Sequence, residues 1–358
     1  MTTKSRSPRI LECTLRDGSY SINFQFTAVD TSVICSELEK TGFEMIEVGH
    51  GIGLNASKTG NGVAAETDEA YLRAAADVLS KAKFGMFCIP GIARLEDIDM
   101  AAEYGMGFIR IGTNVNEAEQ AKSYIERAKK HGMFVAANFM KSYATLPADF
   151  AQKAKLSQSF GADVLYIVDS AGGMLASDLE DYFHAVRSVC DIPLAFHGHN
   201  NLGMAVAHTI RAVELGAIMV DTTLQGIGRS SGNAPTEIVV ALLKRMGLDS
   251  GIDLLGVMDV GEKYIKPLMK ASGLDSLDMI AGYAQFHSSY IGIIREYSIK
   301  YRIDPRRLIM GLCEKDRVNA PRDLVDQIAR NISTESSNVL TARFRWDKYF
   351  GNEQNPDK

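Results

Sequence analysis

Three short runs decide the fold: Val164-Leu165-Tyr166-Ile167-Val168, Leu194-Ala195-Phe196-His197 and Ile218-Met219-Val220-Asp221-Thr222-Thr223. Each is apolar and rich in β-branched or aromatic residues, as a buried strand requires. Between them lie Leu179–Val189 and Ala205–Leu215, where apolar residues return at three- and four-residue spacing. That spacing places a stripe on one face of a helix. A strand, a helix and a second strand in succession imply parallel pairing with a helical crossover, because a tight turn joins only antiparallel neighbours.

The pattern continues towards the N-terminus. Runs at Ile10–Leu15, Met45–Val48, Phe84–Ile89, Phe108–Ile111 and Phe134–Asn138 bring the expected strands to eight. Ser32–Lys40, Glu69–Lys81, Glu117–His131 and Asp149–Phe160 supply the helices between them. Gly42, Gly132, Gly161 and Gly216 each follow a helical run, where a left-handed C-cap is expected. Asp30 and Asn116 stand where an N-cap belongs. Eight parallel units either close into a barrel or stay open as a doubly wound sheet. Eight is the closing number, and no G-x-G-x-x-G follows a strand, so the expected fold is an α/β (β/α)8 TIM barrel over residues 1–250. Beyond it the alternation stops. Val260–Ser272, Ile280–Ile303 and Asp323–Ile332 read as helices, making residues 251–358 a helical C-terminal appendage with a polar tail ending in Gly351–Lys358.

With 358 residues and 46% hydrophobic composition, the chain can bury a core without staples. A net charge of −5 gives no basic footprint for nucleic acid and argues against anionic membrane surfaces. The five cysteines, Cys13, Cys35, Cys88, Cys190 and Cys313, form no C-x-x-C and read as buried thiols. Met1–Arg9 lacks the apolar core of a signal peptide, and no apolar run is long enough to span a bilayer. The expectation is a cytoplasmic protein acting on small molecules.

Closed barrels present their chemistry at the C-terminal ends of strands. The first strand runs into Thr14-Leu15-Arg16-Asp17-Gly18 and the seventh into His197-Gly198-His199-Asn200. His197 and His199, two apart on extended chain, face the same side. Asp17 is separated from them by one strand in a closed barrel and supplies a carboxylate. With the Asn200 amide as a further donor, the set suits Mn²⁺, Co²⁺, Mg²⁺ or Fe²⁺ and leaves positions open for substrate. Taken singly, H-x-H is more often structural and Arg-Asp-Gly is more often a turn. Their joint placement on strand ends favours a metal site. Arg16 adds a fixed cation suited to developing enolate charge. His50, after the second strand, reads either as a substrate contact or as a turn residue. Arg110 and Asn138 read as barrel filling or lip. Arg229, after the eighth strand, reads as an anion contact or a loop stabiliser.

At these residues the chain resembles the DRE-TIM (HMGL-like) metallolyases. Further stretches resemble the 4-hydroxy-2-oxovalerate aldolase family: Glu47-Val48-Gly49-His50-Gly51, Val168-Asp169-Ser170-Ala171-Gly172, Leu202-Gly203-Met204-Ala205, Gly226-Ile227-Gly228-Arg229 through Glu237, and Gly282-Tyr283-Ala284 through Ser288-Ser289-Tyr290. The resemblance spans roughly residues 9 to 305. It implies a lyase that cleaves or forms a 4-hydroxy-2-oxo acid from pyruvate, or a related 2-oxo acid, and an aldehyde through a metal-bound enolate. Asp17, His197 and His199 would hold the metal, Mn²⁺ foremost. Arg16 would bind the keto oxygen and Ser170 the carboxylate. Apart from the resemblance, Asp169 after the sixth strand reads as a candidate to bond a ligand histidine. An acylating aldehyde dehydrogenase is the implied partner and a homo-oligomer the implied assembly.

The chain also departs from that family. The family's base is a His three residues after the metal Asp, and here that position is Tyr20; a family Tyr further on matches His287. His287 is therefore expected to move the proton, oriented by or relaying through Tyr20; the alternative is that both residues merely line the pocket. Ile52 stands where the family usually carries Asp. Two other readings compete: a Claisen-type enzyme acting on an acyl-CoA, and a non-catalytic metabolite-binding barrel.

Overall fold

The computed structural model describes residues 7–269 and 276–335. Eight parallel strands close into a barrel in sequence order: β1 (Arg9–Glu12), β2 (Met45–Glu47), β3 (Lys83–Cys88), β4 (Phe108–Asn114), β5 (Phe134–Met140), β6 (Val164–Asp169), β7 (Leu194–Gly198) and β8 (Met219–Thr222). Helices α1 (Ala28–Lys40), α2 (Asp68–Ala76), α3 (Leu95–Glu103), α4 (Lys122–Lys130), α5 (Pro147–Ser159), α6 (Ala176–Arg187), α7 (Ala205–Glu214) and α8 (Thr236–Arg245) surround it. β1 pairs with β8 through Leu11↔Asp221 and Glu12↔Thr222, which closes the ring. The expected strands appear in their expected order, with ends displaced by a few residues.

Side-chain parity explains how the site arises. Leu11, Met45, Phe108, Ala136, Val164, Tyr166, Ala195 and Met219 face inward and pack as one interior cluster. Their neighbours Ile10, Ile46, Ile109, Val135, Leu165, Phe196 and Val220 face outward into the larger core beneath the helices. Two residues on from an inward apolar residue comes another inward residue. Met45 is thus followed by Glu47, Phe108 by Arg110, Ala136 by Asn138, Ala195 by His197 and Met219 by Asp221. All five polar residues are at most 4% exposed. The apolar plug ends there, and a buried polar layer begins beneath the mouth.

Local signals differ in instructive ways. Gly42, Gly132, Gly161 and Gly216 all adopt positive φ, as expected of C-caps. The N-cap of α1 is Thr27 rather than Asp30, which serves as the reciprocal partner of a capping box. Asn116 lies inside a 3₁₀ segment, Val115–Ala121, that precedes α4.

Past the barrel come α9 (Leu254–Val260), α10 (Ser276–Ala284), α11 (Ile291–Tyr301), α12 (Pro305–Cys313) and α13 (Arg322–Glu335). Ile280–Ile303 is therefore two helices rather than one. Gln285, at φ 56°, breaks the run and places His287 between them. Helix α12 begins at an Asp304 N-cap followed by Pro305, a start signal the periodicity reading passes over. The end of Val260–Ser272 and the polar tail from 336 to 358 lie outside the described residues.

The later helices α10 to α13 share their own apolar cluster, including Leu277, Phe286, Ile294, Leu308 and Val325. They sit over the C-terminal mouth. Lys141 donates to the Val318 carbonyl at 2.7 Å and to the Tyr290 hydroxyl at 3.1 Å. Ser230 Oγ donates to Asp278 at 2.8 Å. Gly173 packs so closely that an added Cβ would collide with the Gly282 carbonyl oxygen. Gly173→Ala should therefore loosen this docking by about 1–3 kcal/mol, the usual cost of overpacking. Hydrogen exchange should rise across residues 276–301 while β5 to β7 stay protected; unchanged exchange would contradict the packing.

Candidate active site

Asp17 sits just past β1, where its backbone N–H bonds the Cys13 carbonyl and a 3₁₀ turn, Gly18–Ile22, begins. His197 ends β7, and His199 follows it with its backbone N–H on the Asp169 carbonyl. Closure brings the three side chains together: one ligand atom from each lies within 4.8 Å of the others, and all three residues are buried. His197 Nδ1 pairs with Asp221 Oδ2 at 2.8 Å, which turns Nε2 towards Asp17 Oδ2 at 3.4 Å. His199 Nδ1 is buried with no hydrogen-bond partner among the described residues. A carboxylate, an imidazole nitrogen oriented by a second carboxylate and a buried imidazole nitrogen lacking a partner fit a divalent cation.

The charge states suit that use. Burial pushes the Asp17 carboxyl up, but Arg16 and the nearby imidazoles and Arg229 outweigh it, holding Asp17 well below the usual carboxylate range. Burial lowers the His199 pKa to about 3, so at neutral pH its ring is uncharged and free to ligate.

Arg16 is fixed from two sides, Nε to Glu47 at 2.7 Å and Nη1 to Asp17 at 2.7 Å. Glu47 also receives Arg110 at 2.8 Å, and Arg110 reaches Asp221 at 2.6 Å and Asn138 at 2.9 Å. Buried guanidiniums and carboxylates thus alternate across the barrel, each with a partner. Above them is a small cavity lined by Arg16, Asp17, Tyr20, Ser170, both histidines, Arg229 and the apolar side chains of Ile52, Phe87, Ile89, Met140 and Val168. Ser170 Oγ accepts the Lys141 backbone N–H at 2.9 Å, which leaves its hydroxyl proton available to a ligand.

Some expected placements change. Asn200 Oδ1 accepts the Ala205 N–H at the start of α7. Asp169 accepts the backbone N–H groups of Gly173 and Met174; the carboxylate that bonds a ligand histidine is Asp221. His50 turns away from the cavity. Its ring stacks on Phe24 at 3.9 Å, and its nitrogens meet the Gly62 carbonyl and the Ile52 N–H. His287 is buried near the mouth, with Nδ1 on Ser289 Oγ at 2.6 Å. Its Nε2 accepts from Arg229 at 3.0 Å, and Arg229 also lies 5.5 Å from the Tyr20 ring centre. Arg229 therefore stands where Tyr20 was expected to meet His287. Glu47 and Asp221 were missed as site residues, whereas Arg229, read as an anion contact or a loop stabiliser, lines the cavity. The signal for the first two was a carboxylate on the inward parity of an apolar strand.

A barrel with this cluster is the architecture of a known class: the HMGL-like family model matches residues 7–263. The chain is 37% identical to the 4-hydroxy-2-oxovalerate aldolase of Carboxydothermus hydrogenoformans, over 91% of this chain and 97% of that one. It is 38% identical to the 4-hydroxy-2-oxovalerate aldolase of Pelotomaculum thermopropionicum, over 93% and 98%. The protein belongs to the HMGL-like family, in its 4-hydroxy-2-oxovalerate aldolase branch. Solved structures of the same fold include the N-terminal domain of a putative aldolase from Bacteroides vulgatus, with TM-score 0.66, 24% identity and coverage of 82% of this chain and 98% of that one. The carboxyl transferase domain of Rhizobium etli pyruvate carboxylase has TM-score 0.74, 15% identity and coverage of 93% and 61%. Among the described residues no helix is long and apolar enough to cross a membrane.

Two predictions follow from this geometry. Asp221→Asn should weaken Mn²⁺ binding about 10- to 100-fold in a calorimetric titration, the usual cost of losing a ligand's outer partner; unchanged affinity would remove Asp221 from that role. His50, lowered to about 4 by burial, binds its proton more readily unfolded than folded. Its contribution to stability is complete above pH 6.5 and lost as pH falls towards 4. Denaturation of wild type and His50→Leu should therefore show the wild type losing roughly 1–3 kcal/mol more across that window.

Proposed function

We propose that the chain is a divalent-metal-dependent aldolase interconverting a 4-hydroxy-2-oxo acid with a pyruvate-type 2-oxo acid and an aldehyde. The observation that carries this reading is the convergence of Asp17, His197 and His199 beside a doubly anchored Arg16 at the barrel mouth. The mixed nitrogen and oxygen donors suit Mn²⁺, Co²⁺, Mg²⁺ or Fe²⁺, and the family resemblance puts Mn²⁺ first. Bound there, the ion would supply Lewis-acid polarisation of the 2-oxo acid.

The remaining work falls to the chain. Arg16 presents its guanidinium to the keto oxygen and stabilises the enolate charge without reorganising, since Glu47 and Asp17 already hold it. The Ser170 hydroxyl donates to the substrate carboxylate. Burial, with Arg229 and Lys141 nearby, holds His287 well below 6.5, so at neutral pH it is present as the base. Its Nε2, released from the Arg229 donor as that side chain turns to the bound substrate, takes the 4-hydroxyl proton during cleavage, and Ser289 fixes the ring through Nδ1. Tyr20 lines the same wall. In this reading the barrel, 1–250, carries the ligands and Arg16, and the helical domain, 251–358, supplies His287. An acylating aldehyde dehydrogenase partner, self-association and a cytoplasmic setting belong to the same reading.

The test is consumption of pyruvate with a panel of aldehydes and Mn²⁺. Turnover should vanish on chelation, and Arg16→Lys should lower kcat about 100-fold or more. Thiol release from acetyl-CoA without aldol turnover would overturn the proposal in favour of Claisen chemistry.

A further inference from the structure

Of the three arginines that line this cavity, Arg229 is the one whose side chain meets no carboxylate among the described residues. Arg16 is paired with Glu47 and Asp17, and Arg110 with Glu47 and Asp221. The Arg229 side chain has no carboxylate partner among the described residues. Its Nη1 meets His287 Nε2 at 3.0 Å, its Nη2 meets His199 Nε2 at 3.4 Å, and its guanidinium carbon lies 5.5 Å from the Tyr20 ring centre. An imidazole nitrogen that accepts from a guanidinium keeps its lone pair there, so these contacts satisfy donors without balancing charge. The side chain is half-buried and lines the cavity that holds the metal ligands.

The local charges point the same way. Arg16, Arg110 and Arg229 together match the charge of Glu47, Asp17 and Asp221, although no carboxylate bonds the Arg229 side chain. A divalent cation then leaves the site two positive charges in excess, and the carboxylate of a 2-oxo acid removes only one. Position identifies what brings the other. Ser170, assigned to the 2-oxo acid's carboxylate, follows β6; Arg229 follows β8, with β7 and its two histidines between them. Arg229 therefore lies on the opposite flank, beside His287, where the aldehyde half of the aldol would lie.

We propose that Arg229 is a specificity-determining residue that binds a carboxylate on the aldehyde half, so that the acceptor is an anionic short-chain oxo acid rather than a neutral aldehyde. This rests on the aldolase reading above.

The experiment compares two matched pairs with pyruvate and Mn²⁺: glyoxylate against acetaldehyde, and succinic semialdehyde against butanal. A charge-assisted hydrogen bond in a dry site is worth about tenfold or more. In the wild type the anionic member of at least one pair should have the higher kcat/KM by that factor. Arg229→Leu should abolish the preference, and Arg229→Lys should retain part of it. As a readout independent of turnover, the Mn²⁺-loaded protein should bind 2-oxoglutarate more tightly than 2-oxopentanoate, and Arg229→Leu should remove the difference. Neutral aldehydes turned over with a preference indifferent to Arg229 would overturn this inference and leave the aldolase reading standing. A raised KM for pyruvate in Arg229→Leu with the aldehyde ratio unchanged would assign Arg229 to the 2-oxo acid instead, and also overturn it. No turnover of any aldehyde would defeat both.

Discussion

A guanidinium in the middle of a barrel must be neutralised, and the way Arg110 is neutralised organises this site. At 1% exposure it has no water to solvate it. Leaving such a charge unpaired costs about 3–5 kcal/mol. Glu47 and Asp221 converge on it from β2 and β8. Each carboxylate then has capacity left: Glu47 takes Arg16 Nε, and Asp221 takes His197 Nδ1. Arg16 and His197, proposed as enolate stabiliser and metal ligand, are thus aimed by groups already committed to the barrel's interior charge. Metal ligand and enolate stabiliser share one ionic frame.

That frame is rigid because it rests on strands. Glu47, Arg110, Asn138, His197 and Asp221 all belong to the barrel wall, above a closely packed apolar plug. The groups assigned to proton transfer and to the aldehyde are mounted differently. Arg229 projects from the loop after β8, and His287 from a break between two helices outside the barrel. His287 reaches the site through docking of the appendage by Lys141, Ser230 and the Gly173–Gly282 approach. On the proposed roles, the 2-oxo acid is met by the barrel, whereas the second substrate is met by parts that can vary without disturbing the metal ligands.

The sequence reading went furthest where a local rule was enough. Alternating apolar runs named the strands, four glycines marked helix ends, and two loaded strand ends named the Asp and both histidines. It failed where the answer needed closure or parity. Asp169 and Asp221 are both carboxylates near strand ends. Asp221, two residues after inward Met219, faces the interior, while Asp169, one after inward Val168, turns to backbone N–H groups. Parity alone separates them. His50 shows a different limit: an imidazole past a strand end looks functional until Phe24, itself at φ 61°, is found stacked against it. The meeting of Arg229 with His287 joins residues 58 apart in sequence, and no local pattern announces it.

The most direct test is a crystal of the full chain grown with Mn²⁺ and measured for anomalous scattering. The account predicts a single strong peak among Asp17, His197 and His199, with His197 still held by Asp221. A peak elsewhere, or none at saturating Mn²⁺, would contradict it.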